Sequence, residues 1–300
     1  MLKHTYAKIN TLLARPDMRA NPLRAVCRRI VWRCHWRTRP EKPLITRFHQ
    51  QMTIQLPRTG SAALLYYQGY SEPPLARLFG ALLTPAATCM DLGAHTGEYT
   101  LLAAHAVGPQ GKVHSFEAQP DLCQLVQQNV QRNQLHHRTH VNCAAICDQP
   151  DQQLAFRVPA ERSGASIRPR QAHAHSPAEA VIHVPATTLD HYISQHLAPD
   201  QHVHLIKMDI EGAEPLALRG AATLLGRPPQ HAPIWLMEYS PANCARLGLD
   251  ATESLGILRQ HGYHLHRVHD DGRTSPLPET EQHALQTCNL LASKRPLTLP

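Results

Sequence analysis

No stretch of this chain approaches the roughly 18–20 unbroken apolar residues that cross a bilayer. The opening MLKHTYAKIN also lacks the compact apolar region of a secretory signal. Both absences make the cytoplasm the expected compartment. The eight cysteines, at 27, 34, 89, 123, 143, 147, 244 and 288, form no CxxC pair and lack the dense spacing of a disulfide scaffold. They are expected mainly as reduced thiols. Twenty-two histidines are scattered, with neither HExxH nor a His/Cys knuckle, and HAH at 173–175 and HVH at 202–204 read as composition. No metal site is expected. Aromatic residues make up 5% of the chain, which argues against the stacking platforms that base recognition needs.

What is present suits a globular chain. Three hundred residues with 42% hydrophobic content can bury one large core or two small ones. The net charge of +7 is uneven: residues 1–47 hold 12 Lys or Arg against Asp17 and Glu41, a balance of +10, and the remainder sums to −3. An anionic partner would therefore be met by the N-terminal arm, not by the body. In that arm Asn21-Pro22 reads as a helix cap with proline in the first turn, and Leu23, Val26, Cys27, Ile30, Val31 and Cys34 follow at helical spacing on one stripe. Trp32 and Trp36 project away from the stripe. The apolar side is expected to dock on protein in preference to an anionic membrane surface. The segment 37–43 reads as a linker.

From about residue 86 the pattern alternates strand, turn and helix, the signature of a mostly parallel sheet with helices on both faces. Strands are predicted over ATCMDLG, Gly111–Glu117, 139–146, His204–Asp209 and Ala232–Glu238, and helices over Thr96–Val107, Pro120–Asn133 and Ala213–Leu225. QQLAFRV and AVIHV flank a polar loop and predict a hairpin-like insertion near 152–184. YHLHRV and LQTCNLLAS predict a C-terminal antiparallel pair. The expected organisation is an arm over 1–47, a helical lead-in and acceptor-pocket segment over 48–85, and one α/β domain over 86–300.

In such a sheet, ligands bind outside the carboxyl ends of the strands, near the first strand-to-helix turn. DLGAHTG, Asp91 to Gly97, lies in that turn. Gly93 and Gly97 would let the backbone turn tightly and approach a ligand, with Ala94 and His95 between them, while free helical N–H groups receive an anionic group. The GxGxxG spacing of a nicotinamide site is absent. Glu117 ends the second strand 26 residues after Asp91, where an acid can accept both hydroxyls of a ribose. Asp91 would orient the loop or hold a cationic end of the cofactor. MDIEGAE sets Asp209, Glu211 and Glu214 at the carboxyl end of the fourth strand, and Glu238 ends the fifth. Asp209 is expected to contact cofactor or acceptor, Glu211 to act as base or to orient the acceptor, and Glu238 to complete an acidic pocket. Glu214 can equally favour a helix N-terminus. His191 and His95 are further candidate bases.

An ordered series of motifs, GYSEP (Gly69–Pro73), DLGAHTGEYTLLAA, VHSFEAQP, NVQRN, SGAS (Ser163–Ser166), TTLD (Thr187–Asp190), IKMDIEGAEPLALRGA and IWLMEYS, resembles the FkbM-type methyltransferases from about Gly69 to Ser293. The resemblance implies a class I, Rossmann-like methyltransferase fold and S-adenosylmethionine as donor. It also implies a hydroxyl of a sugar, glycan or secondary metabolite as acceptor. His95 stands where the family often has Asn, and Ala118, beside the adenine with its N–H available, where it often has Pro. Two other functions are weighed: a nucleic-acid methyltransferase using the basic arm, and a binding or scaffold protein that keeps the fold without catalysis. Acceptor identity and oligomeric state stay open.

Overall fold

A computed structural model of the chain describes residues 15–158, 166–167 and 180–297. By its contacts the chain divides into two units, Met1–Pro73 and Pro74–Pro300.

The first unit contains α1 (Pro16–Ala20), α2 (Pro22–Thr38), a hairpin of β1 (Leu44–Phe48) and β2 (Met52–Leu56), and α3 (Gly60–Gln68). The Asn21 side chain caps α2 by accepting from the Arg24 N–H at 3.0 Å, with Pro22 in the first turn. The helix runs to Thr38, into the segment expected as a linker. Its buried face is the reverse of the expected one. Trp32 and Trp36 are buried, Trp32 lies 5.5 Å from Tyr66, and Arg28 and Arg29 stack over Tyr66 and Tyr67 at 4.6 and 4.5 Å. The stripe of Leu23, Val26, Ile30 and Val31 is exposed. Each indole buries a large apolar area in one side chain, and α3 supplies Tyr66 and Tyr67 for Trp32 to pack on.

The second unit opens with α4 (Pro73–Leu82), then alternates β3 (Thr88–Leu92), α5 (Glu98–Ala106), β4 (Lys112–Phe116), α6 (Pro120–Arg132) and β5 (Thr139–Asn142). Next come β6 (Ala145–Ile146), β7 (Gln152–Val158), β8 (Ser166–Ile167) and β9 (Ala180–Thr187), a separate sheet ordered β6-β9-β7-β8. The antiparallel pairing of β7 with β9 is the hairpin-like insertion; the loop between them, apart from β8, lies outside the described residues, and with it most of SGAS. α7 (Leu189–His196), β10 (Val203–Met208), α8 (Glu214–Arg219), α9 (Ala222–Leu225), β11 (Ile234–Tyr239), α10 (Pro241–Arg246) and α11 (Thr252–Gln260) follow. β12 (His264–Val268), β13 (Thr274–Pro276) and β14 (Cys288–Ser293) complete the unit.

The main sheet is ordered β13-β12-β14-β11-β10-β3-β4-β5, parallel from β11 to β5 and antiparallel at the β14-β12-β13 end. The last strand is thus inserted between β11 and β12, unlike the dinucleotide fold, whose sixth strand joins the edge. Alternation along β3 separates the two faces. Met90 and Leu92 enter a core with Leu189, Leu218 and Leu255, while Asp91 points the other way and meets Thr100 on α5. Helices therefore cover both faces.

Two predicted elements are split. Residues 139–146 form β5 and β6 in different sheets, and the expected helix 213–225 is interrupted at Gly220. Cys123 on α6 and Cys143 after β5 are joined as a disulfide with Cα atoms 5.4 Å apart, the exception to the expectation of mainly reduced thiols, since Cys27, Cys34, Cys89, Cys147, Cys244 and Cys288 are free. Their separation of 20 residues carries no pairing signal; only the return of β5 beside β4 brings them together. No helix among the described residues is long and apolar enough to cross a membrane.

Candidate active site

The topology reverses between β3 and β10, which places the site at the carboxyl ends of β3, β4, β10 and β11. The loop after β3 is pinned from several sides. Gly93 and Ala94 donate to the Phe116 carbonyl, both at 2.9 Å, and the Asn129 side chain donates to the Thr96 carbonyl at 2.9 Å. Gly93 has φ +85°, and a Cβ there would run into the carbonyl oxygen of Asp209; at Gly97 a Cβ would sit 3.3 Å from Val126. The space that a side chain would take at these two glycines is filled by protein, so the close packing of the loop requires glycine there. His95 adopts φ +50°, a left-handed conformation that His tolerates better than most side chains.

Glu117 ends β4 with 6% of its surface exposed, and its two oxygens accept from the N–H groups of His95 at 2.7 Å and Gln119 at 2.9 Å. Burial pushes its carboxyl up to about 7, against the pull of those two N–H groups. Among the described residues, no cation is paired with it. Ala118 beside it packs against the small core of the insertion sheet. Asp91 is buried as well. One oxygen accepts from the Thr100 hydroxyl at 2.6 Å, and the other has no hydrogen-bond partner among the described residues. Burial raises its pKa, while Lys207 and Thr100 oppose the rise.

Lys207 lies opposite Asp91 across the β3-β10 pair. Its ammonium is 3.0 Å from the Asp209 carboxylate and 4.8 Å from the centre of the Tyr99 ring. Beyond the end of β10 the chain turns sharply, with Glu211 at φ +57°. Glu214, 2% exposed, braces this turn by accepting from the N–H groups of Ile210 at 3.0 Å and Gly212 at 3.4 Å. That is a structural role. Asn243 on α10 donates to Glu211 at 3.0 Å and Glu238 at 3.4 Å, and Arg246 in turn bonds the Asn243 carbonyl.

The three acids named from sequence at this edge, Asp209, Glu211 and Glu238, are therefore gathered by Lys207 and Asn243. Burial, then the charges of Asp209, Glu211 and Glu214, push Glu238 up to about 8; burial and Asp209 raise Glu211 too. His95 is brought near Asp209, but burial lowers its pKa to about 4, so the ring is neutral at pH 7 and its buried Nε2 has no partner. His191 instead faces Asp151 at 3.7 Å on α7. Among the described residues, no group of three or more His, Cys, Asp or Glu is arranged to hold a metal ion. Lys207, Asn243 and Arg246 were not legible as site residues. A lysine inside an otherwise apolar strand was the available signal for the first; the other two sit in PANCAR, which has none.

A parallel sheet with its last strand inserted antiparallel, a glycine-bearing first turn and an acid ending the second strand define a class I methyltransferase. Residues 91–265 match the methyltransferase FkbM domain, and the chain belongs to that family. A methyltransferase FkbM from Methylobacillus flagellatus is 19% identical with a TM-score of 0.43, over 79% of this chain and 56% of that one. This chain thus spans little more than half of that structure's length. A SAM-dependent O-methyltransferase from Thermotoga maritima is 12% identical with a TM-score of 0.40, over 86% and 79% of the two chains. An O-methyltransferase from Bacillus cereus in complex with SAH is 12% identical with a TM-score of 0.37, over 73% and 78%. No curated protein matches the chain. Identities this low say nothing about the substrate here.

S-adenosylmethionine is the cofactor of the family. The residues at the strand ends fit it. Each Glu117 oxygen, holding one backbone N–H, has a lone pair left for a ribose hydroxyl, and the diol supplies the hydrogen bonds a buried, unbalanced carboxylate needs. The unpartnered oxygen of Asp91 suits an ammonium donor. Glu117→Ala is expected to weaken S-adenosylmethionine binding roughly 10- to 150-fold by calorimetry, the loss of charge-assisted bonds worth about 1.5–3 kcal/mol. Binding unchanged within twofold would remove Glu117 from the cofactor site.

Proposed function

We propose that this methyltransferase acts on a hydroxyl of a sugar, glycan or hydroxylated small metabolite, with Glu238 as base and Asp209 and Glu211 orienting the acceptor. An alcohol is a poor nucleophile until its proton is removed, and general-base help is worth about 10²–10⁴-fold. The observation that carries the reading is the raised pKa of Glu238 inside a cluster of half-buried carboxylates at the end of β11. A carboxylate near pH 8 is a far stronger base than an exposed one. Bound donor supplies an electrophilic methyl on a sulfonium. That methyl would pass to the acceptor oxygen as the sulfonium bond breaks to leave S-adenosylhomocysteine, and Glu238 would take the hydroxyl proton.

Lys207 and Asn243 then have distinct tasks. The lysine holds Asp209 turned toward it at 3.0 Å, while the amide holds Glu211 and Glu238 side by side. Carboxylates in such an arrangement can accept from adjacent hydroxyls of a polyol, which favours a sugar-like acceptor.

The test is turnover, followed as S-adenosylhomocysteine formed from a panel of sugars and polyhydroxylated metabolites across pH. The wild-type rate is expected to rise as pH passes through about 8, because Glu238 accepts a proton only when ionised. Glu238→Gln is expected to flatten that limb and to lower kcat by about 10²–10⁴ with cofactor affinity unchanged. A variant that keeps both rate and limb would exclude Glu238 as the base.

A further inference from the structure

The α2 helix leaves two sets of side chains unused by its own unit. At about 100° per residue, Leu23, Val26, Ile30 and Val31 share one side, with Cys27 and Cys34 among them. The four aliphatic residues are 80%, 44%, 53% and 48% exposed. Arg24 and Arg33, both exposed, border this stripe on its two sides, and exposed Arg37 lies at its C-terminal end. Across 17 residues the helix carries five arginines and no acid. Arg28 and Arg29 are engaged internally, over the tyrosines of α3 and, for Arg29, with Asp17 at 2.5 Å.

We infer that this face of α2 docks on the anionic surface of a lipid bilayer, with the aliphatic stripe entering the interface and Arg24, Arg33 and Arg37 held at the phosphates. An aliphatic band bordered by long cationic side chains matches that boundary, since the stems lie along apolar surface and the guanidiniums reach the headgroups. Charge complementarity selects this occupant over the alternatives. A second copy presenting the same face would set Arg24, Arg33 and Arg37 against their own copies, with no acid on the helix between them. A nucleic acid would satisfy the arginines but leave the aliphatic residues in water. The two indoles that could stack on bases are buried, Trp32 and Trp36 against each other and Trp32 against Tyr66 and Tyr67. The surface restores a use for the stripe, whose protein partner, expected from sequence, is not found among the described residues of its unit.

The experiment is flotation of the full chain with vesicles of phosphatidylcholine alone and of phosphatidylcholine mixed with phosphatidylglycerol. The chain is expected to float with the anionic vesicles only, and less so as salt is raised. Leu23→Asp with Ile30→Asp is expected to abolish flotation. Arg24→Ala, Arg33→Ala and Arg37→Ala together are expected to lower the partition coefficient roughly 100-fold, at the usual contribution per basic residue. All five positions are exposed, and an unchanged melting curve with unchanged S-adenosylmethionine binding checks that each variant is folded. Absence of flotation with anionic vesicles overturns the proposal, as does flotation of the aspartate variant at the wild-type level. A wild-type dimer in light scattering that the aspartate variant dissolves would assign the stripe to a second copy. RNA binding lost with the arginines but kept by the aspartate variant, without flotation, would assign the face to nucleic acid. Methyl transfer enters none of these readouts, so the docking and the acceptor assignment stand or fall separately.

Discussion

Lys207→Met is expected to cost about 2–4 kcal/mol of stability at pH 8 and clearly less at pH 6. The ammonium is buried against Asp209 and the Tyr99 ring, and it opposes the rise in pKa of Asp91, Glu211 and Glu238. Removing it leaves a group of carboxylates that burial already disfavours as anions, which is the costly way to break a buried pair. The figure sits below that for a fully buried pair because the Asp209 side chain is 38% exposed. The sign with pH follows from the direction of the shifts. A carboxyl whose folded pKa is raised binds more protons folded than unfolded, so it loses stability as pH rises through the folded value. For Glu238 that window runs from the ordinary carboxylate range to about 8, and without the lysine it moves higher. Urea denaturation at both pH values measures the difference. An equal loss at pH 6 and pH 8 would show that Lys207 acts through packing alone.

Gly93→Ala is expected to destabilise the second unit by about 4 kcal/mol or more, a melting temperature roughly 8–16 °C lower. The added methyl meets the backbone of Asp209, which no rotamer change can move. β3 and β10 are joined there by the Asp209 N–H bonding to the Leu92 carbonyl at 3.0 Å, so relief requires parting the central strand pair. Gly108→Ala is the control: φ is also positive, at +67°, but nothing lies within 4 Å of the added methyl. Its expected cost is the backbone conformation alone, about 1 kcal/mol. Equal effects at the two positions would mean that conformational preference, not the close approach, dictates glycine at 93.

Much of the candidate site was legible because it depends on residues that terminate strands. Asp91, Glu117, Asp209 and Glu238 each stand at the end of a predicted strand, and in a parallel sheet all such ends open on one edge, so the sequence places them together without any knowledge of distance. Their roles were less legible. Glu214 looks like its neighbours in MDIEGAE, yet it is the one whose oxygen closes the turn on Ile210 and Gly212. His191 and His95 are alike in sequence as candidate bases. The fold sends the first to Asp151 and holds the second neutral beside Asp209.

The N-terminal helix shows the same limit from the other side. Its cap and length are local properties, and Asn21-Pro22 announces them. Which face is buried depends on what the rest of the unit offers, and the tyrosines of α3 chose the indoles over the aliphatic stripe. The β1-β2 hairpin and α11 carry no motif and were not anticipated.

By itself, the sequence determined what short-range chemistry can specify: the alternation of strand and helix, the turn after β3, the acids at strand ends and the uneven charge of the arm. Tertiary structure alone decided the Cys123–Cys143 pair, the partnership of Lys207 with Asp209, the grip of Asn243 on two glutamates and the need for glycine at 93. Each of these joins residues from different elements. Burial, pKa and close approach belong to such meetings, and no spacing along the chain records them.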